Sequence, residues 1–231
     1  MNEPSWVLPS FVILRGIHIF FGAIGILGFW GALTTRFKLK THKIFGQIFF
    51  LSMIAIALTA FFLSFLTVIH TAIVHPEAQE QEAKIYSLFL TLLGVSSLVS
   101  CLNGWAAAEL KQDFRNQKIA LLNLFLAVVS VGALVTALLD KEISLGVAGL
   151  LGLNISLPFL REWKNKTDIL PREIHVNYMI GGGIALHTAL IAGGGSRIMP
   201  LFIQDLGWVA WLIPTVVLQP VLFWLKRGWK N

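Results

Sequence analysis

"RGIHIFFGAIGILGFWGALTTRFKLKTHKIFGQIFFLSMIA", residues 15–55, is one apolar run, a short basic break and a second apolar run. Each run continues past the quoted ends and exceeds the roughly 20 residues that an α-helix needs to cross a hydrocarbon core. Neither run alternates with period two over about ten residues, so barrel strands are not indicated. The break carries Arg36, Lys38, Lys40 and Lys43. Such a loop between two spans is expected on the cytoplasmic side of a membrane.

The same grammar repeats along all 231 residues, of which 56% are hydrophobic and 13% charged. That composition excludes an ordinary soluble domain. Seven apolar stretches are predicted to span, at 11–33, 45–69, 86–108, 119–139, 143–160, 174–194 and 207–225, as a single all-α transmembrane domain with no separate soluble unit. The fifth is the shortest. Pro158 falls near its end, and Pro214 and Pro220 lie inside the seventh, where kinks are expected.

The net charge of +6 is a topology signal. Fourteen of the eighteen Lys and Arg fall in the loops after the first, third and fifth spans and after the seventh; Arg15, Lys84, Lys141 and Arg197 fall on the other side. The positive-inside rule then predicts an outside N-terminus and a cytoplasmic C-terminus. Basic residues so placed face lipid headgroups, and no nucleic-acid partner is expected. Tryptophans gather at both predicted interfaces, as an aromatic belt does; Trp30 belongs to that belt. The single cysteine, Cys101, rules out an intrachain disulfide. A cleavable signal peptide is not expected, because the first fourteen residues carry no Lys or Arg.

Chemistry rests on six histidines: His18, His42, His70, His75, His175 and His187. Counting 1.5 Å per residue from the predicted span ends puts His18 and His187 each roughly 10 Å below the outer surface. His42 and His175 both stand where a helix leaves the cytoplasmic interface. Histidine inside a membrane helix is rare and usually faces the bundle interior. Two imidazoles at one depth on facing helices are what a b-type haem takes as axial ligands. Glycines supply slots for a flat macrocycle: Gly22 and Gly25 share a face with His18, and Gly183 shares one with His187. Arg15, one turn before His18, is placed to pair with a propionate. A metal site is the variant of this reading, with His18 and His187 as ligands, alternatively joined by His70 and His75.

The competing reading uses the same residues for packing. Small residues let membrane helices approach closely, and Gly181, Ala185, Ala189 and Ala192 form such a stripe. A buried histidine then simply donates to a neighbouring carbonyl, and Thr41 caps the second helix. Asn103, Asn123, Asn154, Thr91, Thr136, Thr188 and Gln219 are candidates for interhelical hydrogen bonds. No Asp or Glu falls mid-span, which argues against an ion-driven pump. No zinc-protease, nucleophile-elbow or phosphate-loop motif is present, so no enzymatic activity is assigned.

The quoted stretch resembles the start of an uncharacterised family of bacterial multi-pass membrane proteins, with a His-containing first helix, a basic loop and a His-x-x-x-Gly opening to the second. "HVNYMIGGGIALHTAL", residues 175–190, is similar to that family's later His-x-x-x-Met segment. The matching positions are His18, His42, Gly46, His175, Met179, Thr188 and Ala189, over about a third of the chain. The layout is also similar to that of the b561-type cytochromes, with a different helix number and spacing. The resemblance implies a membrane bundle with a histidine set, located in a bacterial inner membrane. The sequence therefore leaves two functions open. One is haem b or metal binding for electron transfer or redox sensing, with a redox partner or quinone. The other is a non-enzymatic small-molecule permease, receptor or assembly factor whose histidines only pack.

Overall fold

The computed structural model describes residues 4–76, 80–110, 115–165, 170–198 and 212–227, the side chains of 192–198 excepted. Its elements are α1 (Val7–Thr34), α2 (Leu39–Ile69), a single turn α3 (Thr71–Val74), α4 (Glu80–Glu109), α5 (Gln117–Asp140), α6 (Ile143–Asn165), α7 (Pro171–Ile198) and α8 (Ile213–Arg227). No strand occurs among the described residues. Six helices, all but α3 and α8, are long and apolar enough to cross a membrane. The six predicted stretches before the last each lie within one of these helices. Of the seventh, 207–211 lies outside the described residues, and 213–225 falls in α8.

Helix ends run past the apolar stretches because capping and loop chemistry, not hydropathy, stop them. Asn116 caps α5, its side chain accepting from the Ile119 amide at 3.0 Å. Lys141 ends α5 in the left-handed conformation, φ 58°, a position that ordinarily favours glycine, and the tight turn leads directly into α6. The second helix begins at Leu39 with Lys38 at its N-cap and no side-chain cap, so Thr41 lies inside the helix and does not cap it. The fifth span extends to Asn165 as one helix with Pro158 inside it.

α4 is the central helix. Half of its apolar window is buried, against 17% for α1, and it packs on α2, α5, α6 and α7. Its sequence explains this: Ser96, Ser97, Ser100, Cys101, Asn103 and Gly104 are small or polar and all buried, so neighbouring backbones come close. α1 and α2 form one antiparallel hairpin, and α5 and α6 another. Two apolar clusters flank α4. One joins Phe29, Phe49, Met53, Cys101, Ile184 and Leu218; the other joins Phe89, Leu93, Val99, Leu126, Ala148 and Ala185. Large apolar side chains such as Ile13, Phe20, Leu27, Phe61 and Phe125 point outward, as side chains bathed in lipid tails do.

The basic loops meet at one end of the bundle. Ion pairs tie them there: Lys43 to Glu109 at 3.3 Å, Arg115 to Glu162 at 3.6 Å and Lys226 to Glu173 at 3.4 Å. Arg36 lies over the rings of Phe37 and Trp224, at 4.4 and 4.2 Å, pinning the first basic loop to α8.

Candidate functional site

His42 and His175 come together at the basic end, from the first turns of α2 and α7, with ring centroids 6.3 Å apart and planes at 76°. Their Nδ1 atoms lie 2.8 Å from carbonyl oxygens, His42 from Ala32 and His175 from Gly104. A carbonyl only accepts, so each Nδ1 carries a proton and donates it, which leaves Nε2 as the ring nitrogen open to a ligand. Neither Nε2 has a hydrogen-bond partner among the described residues. A ring so fixed by its other nitrogen is how a histidine is held when it serves as a ligand.

The surroundings of this pair are partly open. His175 lines a recess of about 270 Å³ with Ala107, Ala108, Pro171 and Arg172. Gly46, one turn after His42 on the same helix face, has nothing within 4 Å of where a Cβ would stand. Gly104 is required by a close approach: a Cβ there would come within 2.9 Å of Met179 and 3.2 Å of the His175 carbonyl. The Met179 and Gly104 positions thus set how near α7 sits to α4.

The structure does not bring His18 and His187 together. Gly25 of α1 lies against Leu186, and Phe29 lies against Gly183, which fixes the register of α1 on α7. His187 therefore stands near the Gly25 level, seven residues or roughly 10 Å of helix from His18. Depths counted from predicted ends fail here for a physical reason. Helices α1 and α7 each have 28 residues, or about 42 Å, and overrun a core of about 30 Å. Distance from a helix end is then no measure of depth.

Each member of that expected pair has its own partner. The Thr59 hydroxyl donates to the Ala55 carbonyl at 2.7 Å, so it accepts from His18 Nδ1 at 2.9 Å. His187 Nδ1 donates to the Gly183 carbonyl at 2.7 Å, and its Nε2 accepts from Trp30 Nε1 at 3.1 Å. Both nitrogens of His187 are engaged. Nor do the glycines leave a slot: the space at Gly183 is taken by the Phe29 ring, and that at Gly25 by Leu186 and Ser52. Gly22 alone of the three has nothing within 4 Å. The residues present do not fit a haem at His187.

Arg15 is exposed, and its charge acts on His75. The rings at that end pack on aromatics, His70 on Trp6 at 6.0 Å and His75 on Phe11 at 5.4 Å, both edge to face. Burial first, and the Arg15 guanidinium second, hold the His75 imidazole below its ordinary range. Among the described residues no three His, Cys, Asp or Glu side chains gather as a metal set, so His18 and His187 do not form one with His70 and His75.

Trp30 does more than belong to an aromatic belt, since it holds His187. Its sequence signal was the same as that of any interfacial tryptophan, so the bond could not be read from it. Asn103 and Asn123, by contrast, pair as two buried amides in membrane helices are expected to, at 3.0 and 2.8 Å. Comparison of the chain with protein-family models, with curated proteins and with solved structures finds no match.

Proposed function

We propose that the chain is a seven-span membrane protein, N-terminus outside and C-terminus cytoplasmic, that binds haem b through His42 and His175. The observation that carries this is the pair itself. Two imidazoles on different helices, each with Nδ1–H held by a carbonyl, offer two Nε2 atoms, and among the described residues no third His, Cys, Asp or Glu joins them as a metal set. Two ligands fall short of a tetrahedral metal site. They suffice for haem, whose macrocycle supplies the remaining nitrogens. The two rings would hold the group from different helices, their centres 6.3 Å apart.

When bound, the haem iron supplies a one-electron carrier, suited to electron transfer or redox sensing with a redox partner. The chain's own part is to hold both rings in the Nδ1–H tautomer. Gly46, one turn on from His42, leaves that face of α2 without a side chain. The loop charges support the orientation, and the resemblance to bacterial multi-pass proteins and to b561-type cytochromes supports an inner-membrane location. We propose that His18 and His187 take no part in holding the haem, because both nitrogens of His187 are engaged.

Iron and pigment analysis of the protein purified in detergent tests the proposal. The expected result is one iron and one extractable b-type haem per chain. A folded protein that is colourless and iron-free after expression with ample haem supply overturns it.

A further inference from the structure

A second recess lies between α1, α7 and α8, away from the His42 and His175 pair. It has a volume of about 170 Å³ and is walled by Leu190, Pro214, Val217 and Leu218, with the Trp30–His187 hydrogen bond at its edge. Leu218 is buried, whereas Trp30, Leu190 and Val217 are exposed on the outside of the bundle. The recess therefore opens sideways, where lipid tails would lie. Its size suits a single ring, since a cavity of about 150 Å³ lined by apolar side chains takes up benzene.

The polar pair defines what such a ring must carry. His187 Nδ1–H is committed to Gly183, so Nε2 is an acceptor only. Trp30 Nε1–H is a donor only. The two now satisfy each other across an exposed bond. A ligand carbonyl would take the indole N–H, and a ligand hydroxyl would donate to the imidazole. Neither group is charged, so the pair favours a neutral ligand. We infer that this recess binds the ring of a lipid-soluble quinone or quinol, its tail leaving past Leu190 and Val217. Carbonyl and hydroxyl forms each find a partner, so one site accommodates both oxidation states. The inference is independent of haem binding at the other pair.

The probe is a benzoquinone with a decyl tail, titrated into the full chain in detergent micelles, with bound quinone measured by equilibrium dialysis. Binding to the native chain is expected to saturate at one per chain. It should weaken at least tenfold in Leu190→Phe, which fills the recess from its lipid-exposed rim, and in Trp30→Phe. Decylbenzene, which has the ring and tail but no oxygens, should bind at least tenfold more weakly than the quinone. Uptake that rises linearly with detergent, equal affinity in the native chain and Leu190→Phe, or equal binding of decylbenzene overturns the inference. The last outcome would assign the recess to a lipid chain. Helical content and gel-filtration profile of each variant, measured in the same preparation, separate loss of the site from loss of the fold.

Discussion

Asn103 and Asn123 exchange two hydrogen bonds at complete burial, and Asn123 also donates to the Ile119 carbonyl. Replacing one partner strands the other amide where neither water nor lipid can satisfy it. Asn103→Leu is expected to destabilise the fold by about 1–2 kcal/mol, read from unfolding in mixed micelles. The Asn103→Leu, Asn123→Leu double variant should lose less than the sum of the two singles; strict additivity would mean the pair is not coupled. His75 gives a pH dependence of definite sign. Its folded-state pKa lies below 6.5, so the unfolded chain binds more protons there. The stability it contributes is present above about pH 6.5 and is lost as pH falls through that value towards the lowered one. Thermal unfolding at pH 7.5 and 5.5 should therefore show a smaller drop in His75→Gln than in the native chain. An equal drop would place the acid sensitivity elsewhere.

At the scale of elements, the α1–α2 hairpin depends on Gly28. A Cβ there would stand 2.7 Å from the Phe49 backbone nitrogen, an atom that cannot swing aside. Gly28→Ala is expected to splay the hairpin and destabilise it by about 1–3 kcal/mol. Gly132→Ala on α5, with nothing within 4 Å, should be neutral or stabilising by up to about 1 kcal/mol. Equal effects of the two would refute the packing assigned to α1. These elements were legible because a run of some 20 apolar residues has few structural solutions other than a spanning helix. The pairing of His42 with His175 was legible too, for both stand in first turns at the basic end, where little register error accumulates. His18 and His187 lie deep in helices that overrun the core, and there an uncertain start shifts every later level. Nothing in the sequence marks the carbonyls of Ala32 and Gly104 as partners, because backbone acceptors carry no residue signature.

Across the whole molecule, the ion pairs that gather the basic loops at one end give the proposed orientation a direct test. Cys101 is fully buried, so the native chain should react negligibly with a maleimide while folded. Against that background, Lys38→Cys should be labelled by a membrane-impermeant maleimide only in inside-out vesicles, and Lys141→Cys only in right-side-out vesicles or intact cells. The reverse pattern would invert the topology. The central claim, that the histidines at the basic end hold a haem, is tested most directly by the visible absorption of four purified variants. The Soret band is expected in His18→Ala and His187→Ala, and is expected to be lost in His42→Ala and His175→Ala. A band that survives both His42→Ala and His175→Ala, or that vanishes only when His18 or His187 is replaced, would contradict the account.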